Sequence, residues 1–483
     1  KATNQSRLML PVLFTKDGYD DVDLTPESPV IAAILKDNWV LGDKAHVDFR
    51  KEDLKGISKE VNEYYLKEYA TRWRHALDSI KVAEFTSLQQ GVDMLSVFAD
   101  PVYSPIVNIL NTTSTHTGLH LQAMLEVPGS DSDNSLLKSS ASLVSGKLEG
   151  NRVDKTFRDL NKLTFQSSKR PPPVEKILAS VDEVRNYLNE ISISASPEKA
   201  AYTAAKTRFQ SNGADAIQKM RAIAAKAPKP VDDWLYTIAD QSWRVTINAG
   251  KGHINNEWRN LVANQYRHAL AGRFPMKTTA EQELTLTDFS DFFKSGGTLD
   301  AFVQEYISPF VDVRRNWRVK HVNKRSMYFS KDAIRELKRA ETIRRIFFRA
   351  DPEAPSIQFQ MRPVYMDKSV TRFELDMGGQ RIIYSHGPKF WQDVSWPGKE
   401  ETDFVRMRFV EIDDNDVTKD YDGPWGWFRM LQDANIRKTN AANIYDVTFT
   451  SNSKVARFQI KANSVTNPFD TNILSQFDFP QHL

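Results

Sequence analysis

Residues 271–312, AGRFPMKTTAEQELTLTDFSDFFKSGGTLDAFVQEYISPFVD, decide how this chain is read. The stretch is dense in aromatics, and its apolar residues recur at helical spacing between clear stops. Asp288 opens a short helix with Phe289, Phe292 and Phe293 on one side, and Gly296 and Gly297 close it. Thr298 is placed to cap a second helix that buries Leu299, Phe302, Val303, Tyr306 and Phe310. The stretch therefore belongs to an all-helical packing unit.

Downstream, Ser330 caps a last long helix with Ile334, Leu337, Ile343, Ile346 and Phe347 inward and a face rich in Lys and Arg. From Asp351 the apolar period changes to two. Ile357, Phe359 and Met361 alternate with polar residues, as do Phe373, Leu375 and Met377, Val405, Met407 and Phe409, and Tyr445, Val447 and Phe449. Gly378 and Gly379 sit between two such runs and mark a two-residue hairpin, while residues 451–453 turn the chain into Ala456, Phe458 and Ile460. Six or more short strands at this spacing predict an antiparallel sandwich. The GPWGWFRML segment, 423–431, interrupts them as a short helix packed on a sheet.

Upstream, helical spacing dominates. Val30, Ile31, Ile34 and Leu35 form one face, followed by NWVLGD, 38–43, where Gly42 ends the helix. A long amphipathic helix runs through Val61, Tyr65, Leu66, Tyr69, Trp73, Leu77 and Ile80. Shorter helices follow at 88–98, from Pro105 through Leu110, around 157–163 and from Val174. Residues 130–150, rich in Ser, Asp, Asn and Gly, are the best candidate for a mobile loop. KAPKP, 226–230, reads as a linker, and Trp234 to Tyr266 begins a second helical unit. The expected class is α+β multidomain, with all-α domains followed by a C-terminal antiparallel β-sandwich. The expected division is 1–228, 229–350 and 351–483.

The 483 residues are too many for one ordinary core. Composition is that of a soluble globular protein, and no window approaches the 18 apolar residues of a membrane span. No signal peptide is visible, and a chain beginning with Lys is expected to be a piece of a longer one. A net charge of +3 gives no long-range reason to bind nucleic acid. The absence of cysteine excludes disulfides, thiolate metal sites and cysteine nucleophiles.

The search for chemistry finds no phosphate-cradling loop, no dinucleotide fingerprint, no nucleophile elbow and no HExxH zinc motif. His116 and His120 have i, i+4 spacing, but NTTSTHTGLH is a poor helix and supplies no general base, so it reads as a loop. Paired acids occur at Asp20–Asp21 and Asp413–Asp414; catalysis needs two carboxylates facing each other across a bond, which sequence does not display, and Asp413–Asp416 reads as a strand-to-strand turn where acids serve the turn itself. The basic run from Arg314 to Arg349, with Trp317 and Tyr328 interleaved, fits a solvated face, an anionic surface or protein partner, or nucleic acid. Of Trp391, Trp396, Trp425 and Trp427, most are expected in the core, with one or two exposed as anchors for a protein partner. A helical region joined to a β domain without a catalytic set reads as an assembly protein rather than an enzyme.

Several segments, in order and at their mutual spacing, resemble the periplasmic part of the IcmF-like (TssM) family of bacterial type VI secretion. They include LFTKDGYDDV (13–22), NWVLGD, YLKEYATRWRHAL (65–77), GRFPM (272–276), DFSDFF (288–293), GTLDAFVQEYISPFVD (297–312), SHGPKFWQDVSWPG (385–398), GPWGWFRML and NPF (467–469). The resemblance implies a non-catalytic scaffold without cofactors. Such proteins are anchored in the inner membrane beside TssL, reach through the periplasm to the outer-membrane lipoprotein TssJ, and assemble in several copies. It implies further that TssJ meets the C-terminal β domain. The physical expectation is an exposed, partly aromatic patch on 351–483. Candidate partner contacts are Tyr365, Trp391 and Tyr421, at turn-proximal positions that break the alternation. Other classes weighed are an envelope hydrolase acting on peptidoglycan, which needs a matched acid pair or metal site, and a module binding an anionic polymer.

Overall fold

The computed structural model describes residues 9–36, 51–120, 150–166, 171–211, 214–399, 404–412, 416–469 and 473–483. NWVLGD, the 130–149 part of the expected loop and the Asp413–Asp414 pair lie outside these residues. The chain divides into two compact units, Lys1–Ala201 with Asn212–Ala249, and Tyr202–Ser211 with Gly250–Leu483.

The first unit is helical. Its elements are α1 (Lys16–Asp21), α2 (Pro29–Lys36), α3 (Lys51–Ser79), α4 (Leu88–Ala99), α5 (Pro105–Thr117), α6 (Arg152–Asn161) and α7 (Val174–Ser192). α8 (Pro197–Gln210) passes into the second unit at Tyr202, α9 (Ala216–Ala224) belongs to the first, and α10 (Val231–Glu257) passes into the second at Gly250. The aromatic stripe read on α3 is buried, and its polar tips fasten neighbouring backbone. Tyr65 Oη donates to the Leu13 carbonyl at 2.6 Å, Trp73 Nε1 to Phe14 at 2.8 Å, and Tyr69 Oη to His116 at 2.6 Å. α4 packs on α7 across Gly91, where an added Cβ would sit 3.0 Å from Leu188. Asn151 and Asp154 form a reciprocal cap at the start of α6. KAPKP is a turn leading straight into α10.

The second unit joins a helical bundle to a sandwich. α10 continues into wide π-helical turns at Trp258–Ala263 and Tyr266–Leu270. Next come α11 (Leu286–Phe293), α12 (Thr298–Phe302), the two-residue strands β1 (Val311–Asp312) and β2 (Arg318–Val319), and α13 (Lys331–Phe347). Two helix starts differ from expectation. α11 begins at Leu286, not Asp288, with Thr285 as N-cap accepting from the Asp288 amide, and Thr298 is the first helical residue of α12 with Gly297 as its N-cap. A Cβ on Gly297 would meet the Asp291 carbonyl at 2.7 Å, which excludes a larger cap there. Ser330 caps α13 through the Ala333 amide, as read.

The sandwich strands are β3 (Ile357–Met366), β4 (Val370–Met377), β5 (Gln380–Tyr384), β6 (Gln392–Trp396), β7 (Phe404–Glu411), β8 (Asp416–Asp422), β9 (Asn435–Lys438), β10 (Ile444–Ser451) and β11 (Lys454–Ala462). They form two antiparallel sheets, β6-β3-β11-β10-β9 and β5-β4-β7-β8. Gly378 and Gly379 make the hairpin with φ of 53° and 79°, the left-handed pair that a two-residue turn requires. Phe373 of one sheet meets Phe449 and Phe458 of the other at 5.9 and 5.1 Å. α14 (Gly426–Asp433) lies against β7, β8 and β9. Trp425, just before it, is fully buried, donates Nε1 to the Leu284 carbonyl at 2.6 Å and touches Phe289 edge-on at 5.2 Å. The 271–312 stretch thus welds bundle to sandwich. Glu283 reinforces the weld, accepting from the Trp425 amide and pairing with Arg429.

The C-terminal tail folds back on the bundle. Phe479 stacks on Trp258 at 4.9 Å and on Tyr266 at 4.4 Å, and Trp258 Nε1 donates to the Pro480 carbonyl at 2.8 Å. The Asp478 amide donates to Glu336, a carboxylate only 2% exposed that Arg335 and Arg339 also hold.

Candidate partner surface on the sandwich

Strand β3 begins as a regular inner strand and ends as an irregular one. Pro363 lacks an amide, so a strand tolerates it at a bulge or an edge. Here the ladder to β11 slips at this point: Phe458 pairs with Pro363 but Arg457 pairs with Tyr365. The skipped residue, Val364, leaves two consecutive side chains facing out, Val364 and Tyr365, the latter 43% exposed. On the other side, β6 pairs only with Ile357–Met361, so residues 362–366 have no strand partner there among the described residues.

The loop before β6 approaches this edge. Lys389 Nζ donates to the Val364 carbonyl at 2.5 Å. The next two residues are Phe390, 69% exposed, and half-buried Trp391. Arg362 and Lys461 lie over the Trp391 ring at 4.6 and 5.7 Å, and Arg457 lies over Tyr365 at 5.1 Å. Arg362 is held by Gln459 at 2.6 Å, which fixes the cation above the indole. The Tyr365 hydroxyl donates to Asp367 at 2.8 Å, and this bond to a carboxylate pushes the phenol above its ordinary value. The result is a surface of flat rings backed by cations, with one unsupported ring, Phe390, standing off it. Such a surface offers apolar contact area with few side chains to immobilise.

Of the three candidate contacts read from sequence, the fold brings Tyr365 and Trp391 to this edge. Tyr421 lies elsewhere, on β8, is 8% exposed, and donates to Asp433 at 3.0 Å, with burial raising its phenol. It packs against α14. Trp396, Trp425 and Trp427 are core residues. Phe390 was not singled out from sequence. Its signal was present: two adjacent aromatics, Phe390 and Trp391, follow Gly387-Pro388 in a segment without helix or strand.

The other candidates resolve differently. α5 runs to Thr117, so the segment read as a loop is largely helical. Thr113 and Thr117 return their hydroxyls to the carbonyls four residues back, at 2.7 Å each. His116 Nδ1 accepts from the Lys16 amide, while His120 Nδ1 meets Asp154 at 2.9 Å, so the two imidazoles serve separate contacts. Among the described residues no group of three or more metal-ligating side chains forms. Asp416 is not in a turn but opens β8, paired with Arg408. In the basic run, Arg335 and Arg339 pair with Glu336, Arg344 with Asp300, and Lys320 with the Ser308 and Pro309 carbonyls.

Three family models match along the chain. They are "Intracellular multiplication and human macrophage-killing" (IcmF-related) over 1–118, the type VI secretion protein IcmF helical domain over 249–352, and the IcmF C2-like domain over 359–464. The type VI secretion system component TssM1 of Pseudomonas aeruginosa is 24% identical over 97% of this chain, which spans 44% of that protein. The fold recurs in a chain of the type VI secretion system membrane core complex, with TM-score 0.74, 18% identity, and coverage of 99% of this chain and 93% of that one. It recurs in a type VI membrane complex, with TM-score 0.68, 14% identity, and coverage of 94% and 83%. With one family's segments met in order from the first helices to the sandwich, the chain belongs to the IcmF-related (TssM) family of type VI secretion proteins.

Proposed function

We propose that this chain is a periplasmic, non-catalytic part of the type VI secretion membrane complex. It links an inner-membrane anchor, beside TssL, to the outer-membrane lipoprotein TssJ, in an assembly of several copies. Segments 1–228 and 229–350 serve as helical spacer, and 351–483 as the lipoprotein-binding domain. Long helices suit a spacer, since α3, with 29 residues, is about 40 Å long at about 1.5 Å per residue. The observation that carries the reading is the bulged edge of β3, where Val364, Tyr365 and Phe390 stand exposed beside Trp391. A partner can add backbone to the edge at 362–366 and bury the rings at once. No helix among the described residues is long and apolar enough to cross a membrane.

The test is co-purification of the 483-residue chain with the soluble part of the lipoprotein encoded in the same secretion cluster. A complex that survives gel filtration supports the reading. Separate elution of two folded proteins at micromolar concentration refutes it.

A further inference from the structure

The end of α13 borders a cleft of ≈ 450 Å³ lined by Arg345, Arg349, Ser464 and Thr466 among others. The same four residues line a second cavity, ≈ 240 Å³, which Ser356 and Asn463 also border. Three observations point to a ligand. First, residues 331–349, α13 and the two residues after it, carry more arginines than acids. Arg335, Arg339 and Arg344 are paired, but Arg345 and Arg349 are exposed and have no ion-pair or hydrogen-bond partner among the described residues. Second, Ser356 Oγ is buried with no hydrogen-bond partner among the described residues, a cost that a ligand oxygen would remove. Third, no carboxylate among the described residues lines either cavity, and the acids near in sequence are engaged: Asp351 with the Glu353 and Ala354 amides, Glu353 with Lys294.

Serving the helix end does not explain the pair. The Arg344 carbonyl accepts from the Phe348 amide, and the Phe347 carbonyl from the Ser356 amide. Two guanidinium forks and the hydroxyls of Ser356, Ser464 and Thr466 supply more donors than one carboxylate can accept, and suit a group with three or more oxygens. We propose that this cleft binds a phosphate group. The larger cavity leaves room for what the phosphate is attached to. The site is separate from the bulged edge of β3 and does not depend on the partner proposed there.

The test uses the full chain in two arms. Inorganic phosphate is titrated calorimetrically at constant ionic strength, and binding is compared between phosphatidylglycerol and phosphatidylcholine vesicles. Arg345→Gln and Arg349→Gln are each expected to weaken phosphate binding roughly tenfold. Because both side chains are exposed and unpaired, neither change threatens folding. Ser356→Ala is expected to weaken binding a few-fold while melting stays unchanged or rises, since it removes an unsatisfied hydroxyl. Saturable phosphate binding with these losses establishes a free phosphorylated ligand. Retention on phosphatidylglycerol vesicles alone, lost in the double Arg variant, establishes a lipid headgroup. Equal behaviour of wild type and double variant in both arms overturns the proposal.

Discussion

Phe479→Ala tests whether the C-terminal tail is held by aromatic stacking. The ring is buried and lies nearly parallel to both Trp258 (5°) and Tyr266 (12°), with centroids at 4.9 and 4.4 Å. Truncating a buried Phe costs about 3–5 kcal/mol, and each well-placed aromatic pair contributes about 0.5–1.5 kcal/mol of such a loss. A tail can relax into the space left behind, which puts the expected cost near the lower bound, about 3 kcal/mol. That corresponds to roughly 150-fold in the tail's opening equilibrium. The amides to watch are Asp478, bonded to Glu336, and Leu483, bonded to Asn255. Hydrogen exchange followed by mass spectrometry on C-terminal peptides reads the local opening directly. Protection of 473–483 is expected to fall by about two orders of magnitude while sandwich strands β10 and β11 keep theirs. A change of less than about fivefold at these amides would show that stacking does not hold the tail, and would shift the credit to Glu336 and its two arginines.

Three further outcomes follow from the second unit. Glu283→Gln weakens the weld to α14, where the carboxylate pairs with Arg429 and accepts the Trp425 amide; thermal unfolding should report a loss of about 1–3 kcal/mol. Gly379→Val places a β-branched residue at φ 79° and should cost about 1–3 kcal/mol, measured by urea denaturation, whereas Gly379→Asn should cost much less. Burial, with Asp478 and Glu336 nearby, pushes the Tyr266 phenol from 10.0 up to about 12. The folded state then holds this proton more tightly than the unfolded one. Its contribution is complete below pH 10.0 and is lost as pH rises toward about 12, so denaturant midpoints should fall across that window. Tyr266→Phe should flatten the fall.

What the sequence made legible was periodicity and punctuation. The aromatic stripe of α3, the Ser330 cap, the double-glycine hairpin and the alternating strands all appear where residue patterns place them. What it hid has physical causes. α8 buries the small residues Ala201 and Ala205, so its face carries little hydrophobic contrast, and α9, with Ile217, Met220 and Ala224 inward, is only nine residues long. β8 and β9 are edge strands, and residues such as DVTKDYD and NIRK keep an edge soluble at the expense of apolar alternation. The π turns after α10 keep helical spacing in sequence and differ only in how the backbone closes. At the candidate surface, Pro363, not singled out from sequence, marks the bulge, and the feature read at Tyr365 was its break in period. Nothing local showed that Tyr421, equally out of pattern, would be covered by α14, because that contact depends on the tertiary fold.

Lipoprotein binding at the bulged edge of β3 is the proposal on which the function rests. The most direct measurement is calorimetric titration of the 483-residue chain with the lipoprotein's soluble part, for wild type, Phe390→Ser with Trp391→Ala, and Tyr421→Phe. Removing two aromatic anchors at an interface centre is expected to cost about 2–4 kcal/mol, roughly 30- to 1,000-fold in Kd, while Tyr421→Phe leaves Kd within about twofold. Stoichiometric binding that the Phe390 and Trp391 changes leave intact, in a chain that melts as wild type does, would contradict the claim and move the partner to another surface.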